Sequence, residues 1–218
     1  KQPTGLNFPT FINFAFLLKI VFLMKLSREF YLSENVVETA RCLLGKVLTT
    51  NLNGGIAGGM ITEAEAYAGI NDRASHAFGN RITPRTEVMY EEGGIAYVYL
   101  CYGMHHLFNV VTNKRGVPHA VLIRGIMPVS GQQLIFSTTG KNSDDYRNFN
   151  GPAKVTRALG IHTRHTGYDL LGERIWIEDH DLMIHDDDII KGPRVGIDYA
   201  GADALLDYRF RIKEEAIW

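Results

Sequence analysis

Residues 61–76 read ITEAEAYAGINDRASH, in which Glu63, Glu65, Tyr67 and His76 stand out as candidates for acid–base or polar chemistry. The two carboxylates stand two apart in a run of small and apolar residues. On a strand, that spacing puts Glu63, Glu65 and Tyr67 on one face of a sheet. A carboxylate among apolar neighbours is costly to bury unless it is paired or used. Two readings of the pair stay open. Either an acid simply meets solvent or an arginine, or it is a general base that holds and deprotonates a water in a partly dry pocket. The carboxylates of glycoside hydrolases lie on opposite sides of the bond they cleave, which two acids on one strand face do not match.

Core packing accounts for any one of Tyr67, Tyr97, Tyr99, Tyr102 and Phe108. Together with His76, they could also line a stacking pocket for a flat heterocycle, with hydroxyl and imidazole groups reading its edge. YGMHH (102–106) is harder to place in a core. Tyr-Gly is a turn signal, so Tyr102, Met104 and His105 are expected at an exposed hairpin tip. Large apolar side chains there do nothing for packing, but they suit a wedge between stacked bases. The histidine pairs 105–106, 162–165 and 180–185 fit no HExxH or paired-cysteine template, and no metal site is expected from them.

The elements that must position these residues are mostly strands. KVLTTNLNGGIAGGMITEAEAY (46–67) reads as a hairpin closed by an Asn-Gly-Gly turn. GGIAYVYLCYGMHHLFNVVTNKRG (93–116) reads as a second hairpin with Tyr97 and Tyr99 on one face, and VPHAVLIRGIMP (117–128) as a further strand. The stretch 69–86 is a loop by its Gly, Asn, Asp and Pro content. Ser33 is expected to cap a helix through VVETARCLLG that stops at Gly45, and PAKVTRALGI is a short amphipathic helix with Pro152 near its start. SGQQLIFSTTGKNSDDYRNFNGP reads as polar, turn-rich and exposed; ERIWIED, RVGIDYAG and DYRFRI read as short strands. With few helices and no βαβ alternation, the class is α+β, a single compact domain with a mostly antiparallel, curved sheet and a few flanking helices.

The chain of 218 residues suits one domain, with 45% hydrophobic and 22% charged residues and a net charge of -1. The total charge favours neither nucleic acid nor membrane, but its distribution is uneven. From Arg73 to Arg124 six Lys or Arg face three Glu, whereas DHDLMIHDDD (179–188) is densely acidic and reads as a solvated turn. Cys42 and Cys101 are expected to be buried, reduced thiols in a cytoplasmic protein. The N-terminal 23 residues carry an apolar run, Phe11 to Leu23, shorter than a bilayer span needs. They are expected to be an extension outside the fold, ahead of a domain over 24–218; a membrane-interacting anchor and a structural segment are the alternatives.

Taken in order, ITEAEAYAGINDRASHAFGNRITPRTEVMYEEGGIAYVYLCYGMHHLFNVV, VLIRGIMP, GPAKVTRALGI and RVGIDYAG resemble the 3-methyladenine (alkyladenine) DNA glycosylase family from about Leu26 to Ile212. The resemblance implies a monofunctional enzyme without metal or other cofactor. It would flip an alkylated or deaminated purine (3-methyladenine, hypoxanthine) out of duplex DNA and hydrolyse its N-glycosidic bond, leaving an abasic site for base excision repair. Carried over, Glu65 is the base that activates water, with Arg124 near that water. Tyr67, His76 and Tyr99 wall the base pocket, and Asn109 crowds the guanine 2-amino group. Tyr102 fills the gap left in the duplex, with Met104 beside it. Arg85 and Lys154 are phosphate contacts. The partner implied is damaged double-stranded DNA, bound by a monomer in the cytoplasm at the nucleoid. Two histidines after Met104 make the tip more polar than this pattern leads one to expect. A strand-cutting variant with a Lys154 Schiff base, a reader that flips without cutting, and a metal-dependent phosphoesterase are the competing readings.

Overall fold

The alternation of β-branched and small residues over 47–67 produces two antiparallel strands, β1 (Val47–Leu52) and β2 (Gly55–Tyr67). The computed structural model to which they belong describes residues 25–52, 54–141 and 145–217. The stretch 1–23, expected to lie outside the fold, and Asn53 of the expected turn fall outside the described residues. Further strands are β3 (Ala96–Cys101), β4 (His105–Thr112), β5 (His119–Ser130), β6 (Ile175–Glu178), β7 (Ile189–Gly192) and β8 (Arg209–Ile212). They form one antiparallel sheet in the order β3-β4-β5-β2-β1-β6, with β8 added to β2 and β7 to β8. The α+β class expected from the sequence is therefore the one observed.

β2 is the axis of the molecule. One edge pairs with β5 along most of its length. The other pairs with β1 as far as Met60 and then, from Glu63 to Glu65, with β8. One face of the sheet carries the main core, where Leu48, Ile61, Phe108, Ile123 and Ile126 are fully buried. The helices α1 (Arg28–Tyr31), α2 (Val36–Cys42), α3 (Gln132–Thr139) and α4 (Pro152–Leu159) complete the architecture. Val36 and Ala40 of α2, Ile135 of α3, and Val155, Ala158 and Leu159 of α4 enter that core. Away from it, two smaller clusters gather the loop after β2. In one, Ala77, Val88 and Met89 pack on Tyr97, Val111 and Ala120; in the other, Ala74 packs with Ile197 and Ala200.

Several local expectations are corrected. The cap of α2 is Asn35, whose side chain accepts from the Glu38 N–H, and not Ser33. QQLIFSTT is helix α3, because the completely buried Ile135 anchors an otherwise polar segment to the core. RVGIDYAG is no strand: a 3-10 segment (Asp198–Leu205) occupies its second half, broken at Gly201, while the strand in this region is the earlier β7. Cys42 and Cys101 are free thiols, half-buried rather than buried. α2 stops at Cys42, short of the expected Gly45, which follows in the turn at φ +80°, where a Cβ would lie 2.9 Å from the Ile184 side chain.

Candidate functional site

The paired acids lie where β2, β5 and β8 meet. Register slips on β2 around Thr62 and on β5 around Arg124 form bulges that turn Glu63, Glu65 and Arg124 toward one another. Gly125 permits this close approach, since a Cβ there would lie 2.8 Å from Thr62 Oγ1. Glu65 is completely buried. Its Oε1 accepts from the Val195 backbone N–H at 2.8 Å, and its Oε2 from the Tyr67 hydroxyl at 2.9 Å. Arg124 Nε stands 3.2 Å from Oε1. Burial pushes the Glu65 carboxyl above the ordinary carboxylate range, against the opposing pull of Arg124, the Val195 N–H and Tyr67. Glu63, also buried, accepts at one oxygen from Arg124 Nε (2.9 Å) and Arg209 Nε (2.6 Å).

Above these acids opens a cavity of about 500 Å³, lined among others by Tyr67, His76, Tyr99, Asn109 and Arg124. Arg85 and Tyr102 reach its wall as well. With Tyr97, which also lines it, the cavity brings together eight of the residues singled out in the sequence, with Glu65 immediately behind the lining. The rings of His76 and Tyr99 meet edge-on at 4.7 Å, and those of Tyr97 and Tyr99 lie 5.5 Å apart. His76 Nδ1 is 2.8 Å from the Tyr97 hydroxyl, and its Nε2 is 3.2 Å from Arg85 Nη2. A guanidinium only donates, so Nε2 accepts and the proton of a neutral imidazole sits on Nδ1. Burial, with Arg85 nearby, lowers the His76 pKa to about 4. Arg85 also lies over the Tyr99 ring, 4.8 Å from its centroid. Asn109 is buried, its amide donating to the Tyr97 carbonyl at 3.1 Å.

Tyr102 and Met104 stand at the β3–β4 tip, 92% and 67% exposed, with Tyr102 held at φ +50°. His106 turns away from that tip: its Nδ1 accepts from the Thr163 N–H, and its ring meets His162 edge-on at 4.8 Å. Only His105 adds polarity to the exposed end. Lys154 is exposed on α4, its amine 3.4 Å from the Arg147 carbonyl, outside the lining of the cavity. Among the described residues no group of three or more His, Cys, Asp or Glu could hold a metal ion, and no helix is long and apolar enough to cross a membrane.

Two parts of the site are beyond side-chain patterns. The Val195 N–H is a backbone donor, which any residue but proline supplies. The other is the buried ion pair of Arg194 with Asp72, which ties the loop after β2 to the 194–205 segment and sets the Arg194 guanidinium 4.8 Å from the Tyr67 ring centroid. A buried Arg–Asp pair leaves no periodic trace in a sequence. Tyr97 had a legible signal, its shared face with Tyr99. Chemically, the arrangement sets a buried, hydrogen-bonded carboxylate beneath an aromatic cleft, with a neutral imidazole at the wall and an exposed Tyr-Gly-Met tip at the rim.

A family model described as methylpurine-DNA glycosylase (MPG) matches residues 29–216. A relative from Chlamydia abortus named "Putative 3-methyladenine DNA glycosylase" is 42% identical over 186 residues, covering 85% of this chain and 96% of its own. A relative of the same name from Clostridium perfringens is 41% identical over 197 residues, covering 87% of this chain and 96% of its own.

Proposed function

The chain belongs to the methylpurine-DNA glycosylase family, enzymes that hydrolyse N-glycosidic bonds, and from that membership we propose that it flips 3-methyladenine and related alkylated or deaminated purines, hypoxanthine among them, out of duplex DNA and excises them. The observation that carries this reading is Glu65, buried beside the aromatic cavity with its two oxygens held by Val195, Tyr67 and Arg124. Glu65 takes a proton from a water as that water attacks the sugar C1′. The glycosidic electrons leave with the base, and the DNA keeps an abasic site. A 3-methylated adenine is cationic before the reaction and becomes a neutral leaving group, so the push from the water can be modest. Hypoxanthine starts neutral and draws more on hydrogen bonding at its edge.

Tyr67 and Tyr99 stack on the flipped purine, and electron-rich faces favour a cationic base. A neutral His76 adds no competing charge to the wall while reading the edge. Asn109 crowds a guanine 2-amino group, which discriminates against a normal base. Tyr102, with Met104, fills the space the flipped nucleotide leaves. Arg85 and Lys154 meet phosphates. Flipping costs a few kcal/mol, less where the lesion already weakens pairing, and that difference contributes to selectivity. On this reading the enzyme acts as a monomer in the cytoplasm at the nucleoid, since the site needs only one face of one chain. A strand-cutting reaction through Lys154 is disfavoured, because its amine lies outside the lining of the cavity.

The test is base release, in the presence of EDTA, from methylated duplex DNA and from a duplex with one hypoxanthine, comparing wild type with Glu65→Gln. Release by the wild type alone supports a hydrolysis that runs on Glu65. Binding to damaged DNA with no release from either substrate replaces it with a non-cutting reader. A covalent adduct trapped by borohydride would bring back the strand-cutting variant.

A further inference from the structure

Glu63 is buried two residues from the proposed base, and the reaction as described leaves it without a task. It is the hub of a cluster of two carboxylates and two guanidiniums drawn from three strands: Glu63 and Glu65 of β2, Arg124 of β5 and Arg209 of β8. We propose that Glu63 is a positioning residue that holds Arg124 off Glu65, so that Glu65 keeps the basicity its task requires. The proposal rests on the reading of Glu65 as the base.

The geometry divides one donor between two acids. Arg124 has a single Nε–H, and it is committed to Glu63 Oε1 at 2.9 Å. The same nitrogen stands 3.2 Å from Glu65 Oε1, an ion contact without that hydrogen bond. Glu65 is bonded instead by two neutral donors, the Val195 N–H and the Tyr67 hydroxyl. Charge-assisted hydrogen bonds are roughly twice as strong as neutral ones. A Glu65 that took Arg124 fully would therefore be a weaker base, its charge stabilised before the water arrives. Arg209 steadies the arrangement from the other side, donating to Glu63 at 2.6 Å although β8 pairs it opposite Glu65.

Removing the Glu63 charge acts on Glu65 twice in one direction. It removes a nearby negative charge that raises the Glu65 pKa, and it releases Arg124, whose charge lowers it. Removing the Arg209 charge acts in the opposite direction, taking a cation from Glu63 and leaving Glu63 free to draw Arg124 closer. The other groups that bear on Glu65 stay in place in both variants: Tyr67 on β2, Tyr99 on β3 and Arg194 in the segment behind Tyr67.

The experiment is the pH dependence of single-turnover release of 3-methyladenine from methylated duplex DNA. That base is already cationic, so the acid limb of the profile reports Glu65 and not protonation of the leaving group. Wild type is compared with Glu63→Gln, Glu63→Asp, Arg209→Gln and Glu65→Gln. For Glu63→Gln, the limb should move to lower pH, with a rate at neutral pH reduced by up to about tenfold, as a loss of about one unit of basicity allows. Glu63→Asp, which keeps the charge, should return the limb toward its wild-type position. Arg209→Gln should move it to higher pH, which remains decisive if Glu63→Gln does not fold. A cluster that matters only for stability would not shift the two limbs in opposite directions. Coincident limbs, or limbs shifted the same way, with Glu65→Gln inactive would overturn the role of Glu63 alone. Release by Glu65→Gln would overturn the reading of the base, and this proposal with it.

Discussion

Glu65, the proposed base, is completely buried, and the same burial that raises its pKa sets its cost in stability. A carboxyl with a raised folded pKa binds more protons folded than unfolded, so folding stability declines as pH rises from the ordinary carboxyl range through that raised value. Above it, the buried charge is a standing penalty, which the neutral isostere lacks. Glu65→Gln is expected to lower base excision by about 10²–10⁴-fold, the usual share of general base catalysis. At pH 7 its melting temperature should rise by about 2–4 °C, the shift that roughly 1 kcal/mol produces in a domain of this size. A variant both inactive and markedly less stable would contradict that account. His76 makes the second prediction at this scale. With its Nδ1–H directed at Tyr97 and its pKa near 4, it should stay neutral through pH 5–8. Imidazole NMR signals assigned by comparison with His76→Gln should titrate near 4; a midpoint between 6 and 7 would put a charged wall in the pocket. The depressed value also means that His76 stabilises the neutral fold above the ordinary histidine range and that this stability is lost as pH falls toward 4.

The bulges on β2 and β5 and the β3–β4 tip are the elements on which the site depends, and they respond differently to substitution. At Gly125, an alanine would set its Cβ 2.8 Å from Thr62 Oγ1 and 3.2 Å from Glu63 Cβ, in a sheet packed on both sides. Gly125→Ala is expected to cost about 1–3 kcal/mol, as overpacking does, and to reduce excision further by re-aiming Arg124. Calorimetry and a single-turnover rate would separate the two effects. The tip has no core to lose. Tyr102 is 92% exposed, so Tyr102→Ala should leave stability within about 0.5 kcal/mol of wild type while weakening binding and excision on damaged duplex. Equal activity of wild type and variant on duplex DNA would remove the wedge role. Behind the tip, the Thr156 hydroxyl of α4 donates to the His106 carbonyl at 2.7 Å, which gives the base of the hairpin a fixed seat.

Across the whole molecule, a net charge of -1 conceals a separation of charge. Arg73, Arg81 and Arg85 line a second cavity of about 370 Å³ adjoining the first through His76 and Tyr199, whereas within the acidic stretch 179–188 Asp179 pairs with Lys46 and Asp186 with Arg41. Affinity for duplex DNA should therefore fall with salt in spite of the overall charge, and Arg85→Gln should reduce the slope of log K against log [salt] by about 1. A slope unchanged by that substitution would place Arg85 off the phosphates. Its contacts with His76 and Tyr99 would then be its whole role.

The local sequence determined the parts that depend on neighbours along the chain. Alternation over 46–67 and 93–116 marked the hairpins, the two-residue spacing put Glu63, Glu65 and Tyr67 on one face, and Tyr-Gly marked the exposed tip. Those signals survive because strand periodicity and turn chemistry act over a few residues. What the tertiary structure alone decided lies far along the chain: the Val195 N–H is 130 residues from Glu65, Arg209 is 146 from Glu63, and Arg194 is 122 from Asp72. No local pattern announces that β8 will take the edge of β2 where β1 leaves it, or that RVGIDYAG will abandon a strand for a 3-10 segment that closes over Tyr67. α3 failed to be read for the same reason, since Ile135 has meaning only against a core assembled from elsewhere. The strand pattern thus offered a pair of acids, of which the family resemblance singled out Glu65; its burial, its donors and the companion that holds Arg124 were set by contacts that form only when the sheet closes.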